Sequence, residues 1–156
     1  MFFFDTNILV YTVDTGEPLR QAQAREILAK ALLGRTLTLS TQVLLEFYNT
    51  MLRRKLVSPQ DAVELMRLWT EHEVVNSSAD MLFRAFALQQ SRRWSVWDSL
   101  IVQAALDAGC TTLYTEDLQH GLRIGELEIV NPFLQATAVH EPAAAYAAAP
   151  RRRRGK

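Results

Sequence analysis

The chain has 156 residues, with 17 basic and 17 acidic side chains and therefore no formal net charge at pH 7. Its hydrophobic fraction of 49% suits one folded domain and argues against wholesale disorder. Its single cysteine, Cys110, cannot form an internal disulfide, and no apolar run is long enough to cross a bilayer. We therefore expect a cytoplasmic protein that makes no membrane contact.

The charge is unevenly distributed along the chain. Residues 151–156 hold five of the basic residues, which leaves 12 basic against 17 acidic residues, a net charge of −5, in the remainder. The composition becomes rich in Ala and then Arg towards the end of the chain. We predict one domain over residues 1–135 and a tail over residues 136–156. The Arg run would bind RNA non-specifically, although a merely solvated tail explains it equally well.

In chain order, the hydrophobic pattern predicts alternating strands and helices. Three helix starts carry Asp three residues after Ser, at Ser58, Ser77 and Ser95, which is the pattern of an N-terminal cap. The predicted strands cover residues 2–4, 37–39, 74–75, 111–115 and 127–130, and the predicted helices cover residues 8–11, 20–33, 41–56, 59–69, 78–86 and 96–108.

Strands separated by crossover helices predict an α/β fold with a central, mostly parallel sheet of about five strands. In such sheets, sites form outside the carboxyl ends of the strands. Acids directly after a strand or at the start of a helix are therefore candidates, and Asp5, Asp98 and Asp117 meet this rule. Glu46 lies about one turn or more beyond the end of the second strand.

Each acid also has an ordinary structural explanation. Asp5 and Asp98 would serve as helix caps, Asp117 as a turn residue, and Glu46 as part of a solvated helix face. Four carboxylates meeting at one edge would instead repel one another unless cations were bound. Oxygen ligands without His or Cys suit Mg²⁺ or Mn²⁺, and such a site is built for phosphodiester chemistry. We assign no role to the three histidines.

Four blocks of sequence resemble the motifs of the PIN domain family, and in particular the VapC-type toxins of bacterial toxin–antitoxin pairs. The similarity extends over residues 2–134. The blocks are Phe4-Asp5-Thr6-Asn7-Ile8-Leu9, Glu46 in a helix after the second strand, Ser95-Val96-Trp97-Asp98-Ser99-Leu100-Ile101, and Leu113-Tyr114-Thr115-Glu116-Asp117-Leu118-Gln119-His120-Gly121.

The resemblance implies a three-layer α/β/α PIN-like fold and endonucleolytic cleavage of RNA that depends on Mg²⁺ or Mn²⁺. It also implies inhibition by a cognate antitoxin and a homodimer, with the helix of Leu65, Met66 and Trp69 and the helix before it as candidate contacts. The family's acidic positions, by motif match, are Asp5, Glu46, Asp98 and Asp117, of which Asp5 and Asp98 are the firmest metal ligands.

By the same resemblance, Thr6, Asn7 and Thr115 would hydrogen-bond to neighbouring carboxylates and orient them. We expect Glu116 to point away from the site, although spacing alone leaves an exchange of roles with Asp117 open.

Basic and aromatic residues flank the acidic blocks. They would contact RNA phosphates beside the site or, equally, complement helix dipoles. Trp94 and Trp97 would stack a base or pack in the core. The basic residues are Arg53, Arg54, Lys55, Arg92 and Arg93.

Two alternative functions stay open at this point. One is an aspartate-dependent phosphatase with Asp5 as nucleophile, although such enzymes need a second Asp where this chain has Asn7. The other is a PIN-like module that binds RNA without cutting it, although unneutralised carboxylates would weaken RNA binding.

Overall fold

A computed structural model describes residues 1–134, and the tail predicted over residues 136–156 lies outside the described residues. Strands and helices alternate through most of this part of the chain. In order they are β1 (Phe2–Phe4), α1 (Thr6–Tyr11), α2 (Pro18–Leu33), β2 (Leu37–Ser40), α3 (Thr41–Arg54), α4 (Pro59–Trp69), β3 (Glu73–Val75), α5 (Ala79–Arg92), α6 (Val96–Asp107), β4 (Thr112–Tyr114), β5 (Arg123–Ile124) and β6 (Leu127–Val130).

The strands form one sheet in the order β3-β2-β1-β4-β6-β5. All neighbouring strands are parallel except β5, which pairs antiparallel with β6. Phe3 and Phe4 of β1 are both fully buried, and since successive side chains of a strand point to opposite faces, the sheet is covered on both faces. The predicted α/β fold with a mostly parallel sheet is therefore confirmed. The additional strand, β5, has only two residues and gives no readable pattern.

Serine side chains begin four of the helices. The Oγ atoms of Ser40, Ser58 and Ser95 each accept a hydrogen bond from a backbone N–H in the first turn. The cap predicted at Ser77 is wrong by one residue, because Ser78 accepts from the Met81 N–H instead. Two adjacent serines satisfy the sequence pattern equally, and the burial of Met81 in the core selects the second.

The parallel strands bring several segments to one edge of the sheet. Helices α1 and α3 begin directly after β1 and β2, and the segment 115–118 follows β4. Helix α6 leads into β4, so its first turn lies near the carboxyl edge of that parallel strand. The starts of α1, α3 and α6 and the end of β4 therefore meet at the edge that the sheet rule selects.

Part of helix α4 packs in the core. Trp69 is 2% exposed, and its ring packs edge-on against Phe47 of α3 with 4.8 Å between the ring centroids. Trp69 is therefore not available for a dimer contact, whereas Leu65 and Met66 of the same helix are only half-buried, so the dimer contact through α4 stays a prediction. Within residues 1–134, no helix is both long enough and apolar enough to span a membrane.

Candidate active site

A pocket of about 280 Å³ opens at the carboxyl edge of the sheet. All four acids singled out in the sequence contribute to its walls. They are Asp5 after β1, Glu46 in α3, Asp98 in the first turn of α6, and Asp117 after β4. The fold thus brings together residues from four separate segments of the chain.

Asp5 is the deepest of the four carboxylates, with 5% of its surface exposed. Its Oδ1 accepts a 2.6 Å hydrogen bond from the Thr6 N–H, and its Oδ2 accepts one of 2.6 Å from the Thr115 hydroxyl. Burial, with a smaller contribution from Asp117 and Glu46, raises the pKa of Asp5 to about 7 in spite of these hydrogen bonds. Asp5 is therefore both the cap of α1 and a carboxylate in the pocket whose charged form is disfavoured by burial.

Asn7 joins two of the acids. Its Nδ2 donates to Asp117 Oδ2 at 2.9 Å and lies 3.3 Å from both Asp5 Oδ2 and Thr115 Oγ1. Thr115 Oγ1 in turn accepts from the Asp117 N–H at 3.1 Å. The Oδ1 of Asn7 is buried and has no hydrogen-bond partner among the described residues. This network holds Asp5 and Asp117 in fixed relative positions.

Glu46 is half-buried on the face of α3 that looks into the pocket. Its Oε2 accepts from the Thr6 hydroxyl at 3.3 Å, and its Oε1 accepts from Gln42 Nε2 at 2.8 Å. Gln42 was missed in the sequence. Its spacing of four residues from Glu46, with pocket-lining Thr50 four residues further on, is the helical signal that would have found it.

Asp98 acts as a helix cap and also lines the pocket. Ser95 Oγ donates to Asp98 Oδ2 at 2.7 Å and accepts from the Asp98 N–H at 3.0 Å, which completes a reciprocal cap. The cap fixes the carboxylate at the start of α6, where it faces the same pocket as Asp5. The two interpretations of Asp98 in the sequence are thus compatible.

Contrary to the expectation that Glu116 points away from the site, Glu116 and Asp117 both line the pocket, although the two neighbours have different partners. Glu116 accepts from the Tyr11 hydroxyl at 2.7 Å and forms an ion pair with Arg20 at 3.0 Å, while Asp117 is bound by Asn7. Arg20 also donates to the Tyr11 hydroxyl, and its guanidinium lies over the Tyr11 ring. Arg20 was missed, because nothing in the local sequence indicates that it reaches position 116.

Of the five basic residues singled out, two line the pocket, Arg53 and Arg54 at the end of α3. Arg54 forms a 2.5 Å ion pair with the buried carboxylate of Asp14, whereas Arg53 is exposed and makes no ion pair within residues 1–134. Arg53 is therefore the cation available to a ligand in the pocket.

The remaining basic residues, Lys55, Arg92 and Arg93, are not among the residues that line the pocket. The Arg92 guanidinium lies over the half-buried ring of Trp94, 5.9 Å from its centroid. Trp97 in contrast is 60% exposed and borders the pocket. Trp94 is therefore partly packed beneath Arg92, whereas Trp97 is exposed beside the pocket.

The donor atoms around the pocket suit a hard divalent cation. They are carboxylate, amide and hydroxyl oxygens, which are the ligands of Mg²⁺ or Mn²⁺ rather than zinc. The raised pKa of Asp5 and the unpartnered Oδ1 of Asn7 are both features that a hydrated cation would relieve. In the part of the chain that the structure describes, no three acidic, His or Cys side chains already converge on one point. The fit is to an ion that keeps several of its waters, as Mg²⁺ does.

Comparison with known proteins places this fold. Among the solved structures that resemble the chain is VapC20 of Mycobacterium tuberculosis, described as a sarcin-ricin loop cleaving toxin, with a TM-score of 0.63 and 21% identity over 75% of this chain and 92% of that chain. A toxin–antitoxin complex from Klebsiella pneumoniae has a TM-score of 0.61 and 18% identity over 85% of this chain and 98% of that chain. VapBC2 of Rickettsia felis, bound to a DNA fragment from its promoter, has a TM-score of 0.61 and 21% identity over 82% of this chain and 96% of that chain.

No curated protein sequence matches the chain significantly. At these identities the three structures establish the fold alone. The sequence model of the PIN domain family, however, matches residues 2–124, which is most of the chain. The chain therefore belongs to the PIN domain family.

Proposed function

We propose that the chain is an endoribonuclease that depends on Mg²⁺ or Mn²⁺ and acts as the toxin of a toxin–antitoxin pair. The observation that carries the proposal is the set of five carboxylates around one pocket, the four predicted acids and Glu116, with Asp5 buried and bound only by neutral donors. Membership of the PIN domain family supports the nuclease activity, and the resemblance to toxin structures supports the biological role.

The proposed roles follow from the contacts of each side chain. Asp5 and Asp98 would hold the ion, with Glu46 and Asp117 binding it directly or through water. When bound, the ion would supply positive charge next to the phosphate and favour ionisation of the attacking water. Thr6, Asn7 and Thr115 hold three of these carboxylates through hydrogen bonds, so they keep the acids in place before substrate arrives.

The chain's own cation would position the substrate. Arg53 is exposed at the rim of the pocket and Arg54 is held by Asp14, so the Arg53 guanidinium is the group that would bind a phosphate next to the cleaved bond. Glu46, half-buried beside the pocket, is placed to accept a proton from an attacking water at Oε1 or Oε2.

Two alternatives are weaker on specific grounds. In a phosphatase, the second acid would stand at position 7, but Asn7 there bridges Asp5 and Asp117, and no lysine lines the pocket within residues 1–134. A covalent phosphoryl group trapped on Asp5 would favour this alternative.

A non-cleaving RNA-binding module would gain nothing from a buried carboxylate whose charged form is disfavoured. Intact RNA after binding in the presence of Mn²⁺ would favour the module.

The decisive experiment replaces Asp5 or Asp98 with Asn. We expect Asp5→Asn and Asp98→Asn each to abolish metal-dependent RNA cleavage while thermal unfolding stays cooperative. Asp61→Asn is a matched control, because Asp61 forms the same reciprocal cap with Ser58 on α4 but lies outside the pocket. Cleavage by both site variants at the wild-type rate would overturn the four-acid site.

The toxin role and the partners need separate tests. We propose a cognate antitoxin that suppresses the nuclease, and a homodimer whose contacts include the exposed part of α4 rather than Trp69. Expression of the chain should arrest growth, Asp5→Asn should not, and co-expression of a small protein encoded by the adjacent frame should restore growth. Sedimentation of the purified chain as a monomer would contradict the homodimer.

A further inference from the structure

A second, larger groove of about 820 Å³ lies beside the catalytic pocket, between α3 and the first turn of α6. It shares the side chains of Glu46, Trp97, Asp98 and Asp117 with that pocket, so the two spaces are continuous. None of the residues that line the groove is basic. The proposed nuclease site uses the acids at the border of this groove but none of the apolar side chains along it.

Three large apolar side chains stand exposed along the groove. Leu45 is 69% exposed, Leu52 42% and Trp97 60%. A contiguous apolar patch rimmed by polar groups marks a binding surface in a folded protein. The polar rim includes Asn49, which is exposed on the same face of α3.

Trp97 is held next to the acids of the pocket. It immediately precedes Asp98, and Gln42 Nε2 lies 3.4 Å from the Trp97 carbonyl oxygen while also binding Glu46. The backbone that carries the ring is thereby tied to the start of α3. A ligand on the ring would consequently lie next to a ligand among the carboxylates.

We propose that this groove is a nucleobase subsite, in which an unpaired base of single-stranded RNA stacks on Trp97 and on the leucines of α3. The proposal rests on the ribonuclease function proposed above. An RNA strand with one phosphate at the acids would bring an adjacent nucleotide within reach of the continuous space. Because the groove has apolar walls, no cation and carboxylates at its border, it suits the neutral base rather than another phosphate.

The subsite requires the base to be unstacked from its neighbours. In a duplex, the bases are paired and stacked within the helix, so their faces are not available to Trp97. The groove therefore selects single-stranded or looped RNA. Asn49 would hydrogen-bond to the edge of the base, which makes it the residue through which the groove distinguishes one base from another.

The test measures RNA binding separately from cleavage. In an Asp5→Asn background that leaves the probe uncut, we expect Trp97→Ala to weaken binding of a labelled single strand of about twelve nucleotides by about tenfold, and Trp97→Phe by much less. Phe83→Ala is the control, since Phe83 is an aromatic residue on α5 that is 70% exposed but lines neither space. Binding of the corresponding duplex should not respond to any of these changes.

The outcomes separate the subsite from the nuclease function. If Trp97→Ala binds the single strand as tightly as its parent, the groove is not a base site and is left to a protein partner. If the wild-type chain cuts no RNA while the effect of Trp97→Ala on binding persists, the nuclease proposal fails and the base site stands. If the chain cuts RNA and Trp97→Ala changes neither Kd nor KM, only the base site fails.

Discussion

Asn7 and Asp117, 110 positions apart in the sequence, are joined by a 2.9 Å hydrogen bond from Nδ2 to Oδ2. The same amide contacts Asp5, so one neutral side chain holds two of the four acids together. Without it, the two carboxylates would be free to move apart under their mutual repulsion. These contacts give Asn7 a positioning role, which a substitution of Asn7 can test.

We expect Asn7→Ala to raise the Mg²⁺ concentration needed for half-maximal RNA cleavage by roughly 10- to 100-fold, the usual effect of losing a residue that orients a metal ligand. Activity at saturating Mg²⁺ should recover in part. Asn76→Ala, at an exposed position before α5, is the control. An unchanged Mg²⁺ requirement in Asn7→Ala would show that the bridge does not position the acids.

The second prediction concerns the pH dependence of the metal-free chain. Burial raises the pKa of Asp5 from 3.8 to about 7, so the folded chain binds this proton more tightly than the unfolded chain does. The resulting stability is fully present below about pH 4 and is lost as the pH rises through about 7. Asp5→Asn carries no charge, and its free energy of unfolding should therefore fall less over this range.

Urea unfolding in EDTA at about pH 5 and about pH 8 measures this difference. Mg²⁺ added at the higher pH should stabilise the wild-type chain and have little effect on Asp5→Asn, because the ion neutralises the carboxylate. Parallel pH profiles for the two proteins would contradict a raised pKa at Asp5.

The third prediction separates two adjacent acids. Glu116 accepts a hydrogen bond from Tyr11 and forms an ion pair with Arg20, whereas Asp117 is bound by Asn7 beside the other carboxylates. Asp117→Asn should therefore reduce kcat at least about tenfold more than Glu116→Gln, which is left with the hydrogen bond from Tyr11. Single-turnover cleavage at saturating Mg²⁺ is the measurement. The reverse order of effects would mean that the two acids exchange roles.

The fourth prediction concerns the exposed guanidinium at the pocket rim. If Arg53 contacts one phosphate, Arg53→Ala should reduce the slope of log K against log salt for single-stranded RNA by about 0.7. Arg35→Ala is a suitable control, because Arg35 is exposed before β2, at the opposite edge of the sheet. Equal salt slopes for Arg53→Ala and the wild-type chain would remove Arg53 from the RNA interface.

Much of the fold could be predicted because its signals are local. Apolar runs such as Phe2 to Phe4 and the serine caps of the helices depend on a few neighbouring residues. The misses have the same origin: β5 is too short to show a period, and adjacent serines left the start of α5 uncertain by one residue. Trp69 belongs to the predicted apolar stripe of α4, and its packing against Phe47 of α3 shows that this end of the stripe faces the core.

The four acids were visible in the sequence because each stands at a strand end, a helix start or an inward helix face. The order of strands and helices in the sequence by itself predicted that Asp5, Asp98 and Asp117 belong to one edge of a parallel sheet, and the motif match added Glu46. It did not determine which side chains hold the acids in place.

Only the tertiary structure decided that Asn7 binds Asp117, that Arg20 holds Glu116, and that Gln42 ties Glu46 to the backbone of Trp97. The Asn7 and Arg20 contacts join residues 110 and 96 positions apart, and the tie from Gln42 to the Trp97 carbonyl spans 55. The physical reason is that hydrogen bonds act over about 3 Å, so partners are chosen by the packing of the sheet rather than by distance along the chain.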